Sequence, residues 1–385
     1  MRIAVLAHAL HSGGGMVGGQ NFIHALRNAA PEHDYLVFVP RGKGYENIQL
    51  PTHSEFYFSI ACEGLARLKF ELLVLPKIIR RFNPSAILGL GNFGMLNPPA
   101  PQAIWIRNAY LVYPKESIKT GPLKNQSLMI FQRYYLKKCL RKTDLVFCQT
   151  PVMKKHLSTL YSINEDRVKI LPNALSRLIV DNDKTEPETP QVLKERKTGD
   201  FYCLIPSKYY THKNPEILLE FLKHADRREI SNIKFIITLS PDDHPGVRRF
   251  FRELSKYDRE RQVINVGRIP HDVLVNYYRN VDLVIMPTLL ESFSVTYLEA
   301  MHFNVPILTT DLDFAHYLCG RAACYYVPSD YKDFIDKLIY LKRNAEKRND
   351  LIRAGQEHLK LFNYGWRDIV RLAVDGLENL VKAKG

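Results

Sequence analysis

Two glutamates, Glu291 and Glu299, stand with seven residues between them just after an apolar run at residues 281–286. That run is short, rich in β-branched residues and stopped by Pro287, which predicts a buried strand. Residues 292–303 then read as a helix, with Val295, Leu298 and Met301–His302 about one turn apart. Within one continuous helix the spacing would rotate Glu299 well off the face that carries Glu291. With Glu291 in the strand–helix turn and Glu299 inside the helix, both can point into one crevice. The same turn leaves the first helical N–H groups, near Ser294 and Val295, unpaired and suited to a phosphate. Amides for phosphate, and carboxylates for sugar and ribose hydroxyls, are the parts a nucleotide-linked sugar requires.

Two further loops carry candidate groups. Residues 11–20 (HSGGGMVGGQ) are expected to form a loop between a first strand and a helix beginning near Asn21. Glycines such as Gly18 and Gly19 let backbone approach a ligand closely. The loop is neither a G-x-G-x-x-G fingerprint nor a P-loop, because no Gly-Lys-Ser/Thr follows. After a predicted strand at residues 202–206 comes Ser207-Lys208-Tyr209-Tyr210-Thr211-His212-Lys213-Asn214-Pro215. Each lysine placed on a diphosphate would contribute about 1.5–3 kcal/mol through charge-assisted hydrogen bonds.

These loops need sheets to hold them. Apolar runs at residues 3–8, 35–39, 86–90, 103–106, 145–148 and 168–171 alternate with helical patterns. A second series follows at 201–206, 234–239, 263–266, 283–286, 306–309 and 323–327. Such alternation predicts parallel sheets covered by helices, and 385 residues suffice for two α/β domains. The charged, proline-containing stretch at residues 180–200 lacks periodicity and reads as a linker or mobile loop. The expected organisation is a first domain over residues 1–175, a linker over 176–200, a second domain over 201–362 and a terminal helix over 363–385.

Composition narrows the setting. No run of 18 apolar residues occurs, so no spanning helix is expected. Residues 3–10 are short and apolar, but the glycine-rich turn after them fits a first strand better than a signal peptide. Six cysteines without a C-x-x-C pair read as reduced, buried thiols of a cytoplasmic protein. Residues 1–180 hold 23 Lys and Arg against 10 Asp and Glu, while the remainder is nearly balanced at 31 against 30. The basic half attracts anionic membrane, lipid diphosphate or nucleic acid without choosing among them. Helical patterns at 65–82 and 124–142 mix cations with aromatic and aliphatic residues. They read equally as ordinary amphipathic helices or as a surface for anionic lipid.

Residues 287–301, followed by Val305-Pro306-Ile307-Leu308-Thr309-Thr310-Asp311, resemble the glutamate-x7-glutamate signature of retaining glycosyltransferases of family 4, the glycosyl transferases group 1. The resemblance implies the GT-B fold, an α/β architecture of two Rossmann-like domains facing each other across a cleft, with the last helix crossing back to the first domain. Lys208 and Lys213 fall where the family shows arginine and lysine; Lys208 keeps the charge but loses the bidentate fork. Gly18-Gly19 is similar to the glycine pair that opens the first helix near the donor phosphates. Residues 168–174 resemble the family's Val-x-Val-x-Pro-Asn-Gly strand end, with Ala174 for glycine. Val266-Gly267-Arg268-Ile269, followed by His271–Arg279, is similar to the loop that meets the nucleobase. One departure stands out: where many members carry a histidine after the fourth strand, this chain reads Trp105-Ile106-Arg107-Asn108.

The implied roles follow. Glu291, Lys213 and Lys208 serve catalysis, and Gly18, Gly19, Phe293, Ser294, Val295, Glu299 and Ile269 hold the donor. Arg107, Asn108 and His11 contact sugar or acceptor. No metal or other cofactor is expected; the nucleoside-diphosphate sugar is a co-substrate. Asp311-Leu312-Asp313 and Asp181-Asn182-Asp183 match a metal-binding D-x-D pattern that recurs by chance. The expected reaction is retaining, metal-independent sugar transfer to a glycan on a polyprenyl diphosphate or other lipid, in surface polysaccharide or lipopolysaccharide synthesis. It would take place at the cytoplasmic face of the inner membrane, with no nucleic acid involved. The alternatives are a soluble transferase or phosphorylase on free glycans, or a non-catalytic sugar-nucleotide or nucleic-acid binder.

Overall fold

Strands that are apolar on both sides must be covered on both sides, and such strands belong to parallel sheets between helices. In β1 (Arg2–Leu6), Ile3 and Val5 enter one core and Ala4 and Leu6 another. The structure, a computed structural model, describes residues 1–118, 123–175, 179 and 188–384. It contains two compact units, one of residues 1–174 and 364–385, the other of residues 175–363.

The first unit holds β1, β2 (Asp34–Pro40), β3 (Glu55–Ser59), β4 (Ala86–Gly89), β5 (Gln102–Ile106), β6 (Leu145–Cys148) and β7 (Val168–Ile170). Their order is β3-β2-β1-β4-β5-β6-β7, all parallel, with Ile3 opposite Tyr35 on one side and Ala86 on the other. The chain order therefore reverses direction between β1 and β4. The helix Trp366–Lys382 lies in this unit, burying Ile369, Val370, Ala373, Val374 and Leu377 beside Phe22 and Leu26. Their spacing puts all five on one helical stripe.

The second unit holds β8 (Phe201–Ile205), β9 (Ile233–Ile237), β10 (Val263–Asn265), β11 (Leu283–Met286), β12 (Ile307–Thr310) and β13 (Ala323–Tyr326). All neighbours are parallel in the order β10-β9-β8-β11-β12-β13, so this sheet reverses between β8 and β11. Of the expected linker, 176–178 and 180–187, including Asp181-Asn182-Asp183, lie outside the described residues. Residues 188–200 belong to the second unit, where Leu193 is buried and Arg196 bonds both oxygens of Asp282 at 2.7 Å.

Two local expectations need correction. The strand β3 was not foreseen; among the described residues it is an edge strand paired to β2, and its apolar run is only the three half-buried aromatics Phe56, Tyr57 and Phe58. The expected glycine loop is helical, because the helix begins at Gly13 and runs to Ala29. Glycine disfavours helices by about 1 kcal/mol per residue. Packing overrides that preference here, with Gly18, Gly19, Phe22, Ile23 and Leu26 all buried.

Candidate functional site

Open α/β sheets offer a crevice beyond the carboxyl ends of the strands where strand order reverses. In the second unit that point lies between β8 and β11, and the loops leaving these strands carry Lys208, Lys213 and Glu291. After β8, a single 3₁₀ turn, Thr211–Lys213, ends at Asn214, whose left-handed φ of 52° stops it. The two loops are tied by backbone: Leu289 N–H donates to the His212 carbonyl at 2.7 Å, and the Thr288 hydroxyl oxygen lies 3.2 Å from the same oxygen.

Lys213 Nζ donates to Glu291 Oε1, and the Thr288 hydroxyl donates to that oxygen at 2.9 Å. Both charged side chains are largely buried. His212 stands beside them. Burial pushes its imidazole down to about 4, against the pull of Glu291, so the ring is neutral near pH 7. The arrangement holds one fixed carboxylate and one cation, with one imidazole that adds no charge.

Glu299 lies on the helix Val295–His302 and is 2% exposed. Burial raises its carboxyl above the ordinary value. The Tyr278 hydroxyl donates to Oε2 at 2.8 Å, and His271 Nδ1 lies 3.9 Å from Oε1. Tyr278 is itself fixed by stacking on Phe303, centroids 5.5 Å apart at 11°. Ser294, at the N-cap, makes no side-chain cap bond, so the first amides of this helix have no hydroxyl acceptor from it. The Phe293 ring, expected beside the donor, is buried and edge-on to Phe362, centroids 6.0 Å apart.

Lys208 does not join the Lys213–Glu291 pair. Its Nζ lies 3.7 Å from Asp243 Oδ1, an oxygen that Arg268 Nε also reaches at 3.0 Å. Ile269 follows Gly267 and Arg268 and is half-buried. Gly267 has a φ of 71°, where a side chain would be strained. The sequence reading missed Asp243 and Thr288, and it placed His271 and Tyr278 only within the segment expected to meet the nucleobase, with no role for either side chain. None of the four has a local signal, since each meets its partner through sheet topology or a turn.

In the first unit the glycine pair serves packing. A Cβ on Gly18 would fall 2.1 Å from Arg107 Nη2, and one on Gly19 would fall 2.7 Å from Leu10 Cδ1 and 2.8 Å from the Tyr45 hydroxyl. The groups that approach these two glycines are thus the protein's own side chains. Arg107 lies over Trp105 at 4.6 Å, and burial lowers its guanidinium to about 10. The Asn108 side chain caps the turn Ala109–Val112, accepting from Tyr110 N at 3.0 Å. His11 lies 3.8 Å from the exposed Glu63. Replacing Gly19 with alanine should destabilise the protein by a net 1–2 kcal/mol or so, overpacking outweighing the gain in helix propensity. Urea unfolding of the purified variant checks this.

The D-x-D match at Asp311-Leu312-Asp313, set aside as a chance pattern, makes local contacts. Asp311 pairs with His316, and Asp313 accepts from the Phe314 amide at 2.7 Å. Among the described residues, three potential metal ligands come together only at Glu32, His33 and Glu378, in the first unit. All six cysteines are free, and burial raises the thiols of Cys139, Cys148, Cys203 and Cys319.

Two parallel sheets of seven and six strands, each flanked by helices and with a loop-borne ion pair at the switch point of the second, define the GT-B fold. Residues 188–358 match the family described as Glycosyl transferases group 1. It is similar to the phosphatidylinositol N-acetylglucosaminyltransferase GPI3 subunit of Saccharomyces cerevisiae, 19% identical over 63% of this chain and 52% of that protein. It is also similar to the O-antigen chain mannosyltransferase RfbU of Salmonella typhimurium, 18% identical over 61% of this chain and 60% of that protein. The chain thus spans between half and three-fifths of these relatives. The Anabaena HepE structure in complex with UDP and glucose matches with a TM-score of 0.72 and 14% identity, over 98% of this chain and all of that one.

Proposed function

We propose that the chain moves a sugar, with retention at the anomeric carbon and without a metal, from a nucleoside-diphosphate donor to a glycan acceptor. The observation that carries this reading is the Lys213–Glu291 pair at the β8/β11 switch point, within the matched domain. Lys213 and Lys208, with the amides at the start of the Val295–His302 helix, neutralise the diphosphate and stabilise it as leaving group. Glu299 accepts hydrogen bonds from the ribose hydroxyls through Oε1, since Oε2 is held by Tyr278. Glu291 faces the sugar and stabilises positive charge developing at its anomeric carbon. Similarity to a chain that binds UDP and glucose supports a donor of this kind. EDTA should leave turnover unchanged; loss of activity restored by a divalent cation would remove the metal-independent step. The first test is thermal unfolding with UDP, GDP, ADP and CMP. A nucleotide at 100 times its Kd should add about 2.7 kcal/mol to stability. No shift with any of the four would argue against the donor site.

The acceptor in this reading is lipid-linked, at an anionic membrane surface. Ile60, Leu65, Leu72, Leu73, Phe131 and Tyr134 are exposed, among the cations Arg67, Lys69, Lys77, Lys137 and Lys138. The two segments meet where Phe93 contacts Tyr135 and Arg67 covers Phe93. An apolar face ringed by positive charge suits the headgroup region. The relatives' named reactions, on phosphatidylinositol and in O-antigen chains, fit the same surface. Leu72→Ser with Leu73→Ser should weaken binding to phosphatidylglycerol-containing vesicles at least fivefold. Equal partition onto neutral and anionic vesicles at low salt would sink the membrane reading.

A further inference from the structure

The first sheet has a switch point of its own, between β1 and β4. His8 follows β1, and Gly91 and Phe93 follow β4. With Glu71 and Tyr135 they line a recess of about 20 Å³, room for one water-sized group. The His8 ring is 4% exposed, and its Nε2 lies 2.9 Å from Glu71 Oε1. Arg67 Nε donates to that same oxygen at 2.7 Å. Against the upward push of burial, His8 and Arg67 hold the Glu71 carboxyl below its ordinary value.

A carboxylate at Nε2 fixes the tautomer. A proton on Nε2 leaves Nδ1 as the acceptor atom of that tautomer. Nδ1 is buried and has no hydrogen-bond partner among the described residues. Glu71 itself sits in a π-helical turn, Phe70–Val74, an irregularity that recurs at functional sites. The site is therefore built: a buried acceptor atom, oriented through its other nitrogen, at a ligand-binding position of the sheet.

We propose that this recess is a hydroxyl-binding subsite for the sugar acceptor, whose O–H donates to His8 Nδ1. Glu71 and Arg67 act as positioning residues, and Phe93 and Tyr135 form part of the recess wall. The inference rests on the glycosyltransferase reading above, in which the donor-holding groups belong to the second unit. The crevice of the first unit is then free for the other substrate.

The test is saturation-transfer NMR on the full chain with glucose, galactose, mannose and N-acetylglucosamine at millimolar concentration, with UDP and GDP binding measured in parallel. At least one sugar should bind the wild type and bind His8→Phe at least tenfold more weakly. Gly91→Ala keeps the His8–Glu71 pair and puts a Cβ 3.1 Å from that of Ala9, narrowing the recess. It should show a similar loss. Unchanged sugar binding in both variants, or no binding of any of the four to the wild type, overturns the subsite. Nucleotide binding retained by His8→Phe shows that the variant is folded. Unchanged sugar binding beside normal nucleotide binding refutes the subsite alone. A wild type that binds no nucleotide refutes the glycosyltransferase reading, and the acceptor assignment with it.

Discussion

Glu291→Gln should lower kcat by about 10²–10³ while the protein remains folded, because in the proposed mechanism it removes only the charge that faces the reacting sugar. Glutamine keeps the shape and can still accept from the Thr288 hydroxyl, which lies 2.9 Å from Glu291 Oε1. Lys213→Met should bring a loss of similar size, since the leaving diphosphate then lacks its nearest fixed cation. His212 cannot replace that charge: its imidazole, pushed down to about 4, is neutral at working pH. Because Lys213 and Glu291 share one ion pair, the two losses should not add in the double variant. Single-turnover kinetics on the three purified variants, with circular dichroism as a control on folding, decide the matter. Near-normal turnover of either single variant would remove the pair from the mechanism.

Glu299→Gln should weaken nucleotide binding about 10–100-fold, the equivalent of a charge-assisted hydrogen bond worth roughly 1.5–3 kcal/mol. The Tyr278 hydroxyl can still donate to the amide oxygen, so the loss falls on the ligand side. A pH dependence accompanies it. Burial raises the Glu299 carboxyl above the ordinary 4.5. The unfolded chain then releases this proton first, so Glu299 costs stability as pH rises from the ordinary value through the raised one. Relative to wild type, Glu299→Gln should gain stability across that window and show no further change above it. In the proposed donor site ribose hydroxyls donate to the ionised form, so wild-type nucleotide affinity should fall as pH drops through the raised pKa. The glutamine variant should lack that dependence. Calorimetric titration with the stabilising nucleotide at several pH values measures both, and parallel profiles for the two proteins would exclude Glu299 as the titrating group.

The amino-acid sequence by itself determined the class of fold. Runs such as residues 283–286 and 145–148 are apolar on consecutive positions, and consecutive apolar positions in a strand demand cover on both faces. It also determined the loop–helix placement of Glu291 and Glu299, because the change of period from strand to helix is local. The tertiary structure decided the partners. Lys213 and Glu291 are 78 positions apart, His8 and Glu71 63, and Tyr278 and Glu299 21. Pairs so distant are brought together by strand order and by loop closure, and neither leaves a periodic trace. Tertiary packing also turned the stretch beginning at Gly13 into helix, against its propensity, because Leu10, Tyr45 and Arg107 needed the space that a glycine leaves. Propensity and period act within a few residues. Who meets whom beyond the strand ends is set by the order in which the two sheets are built.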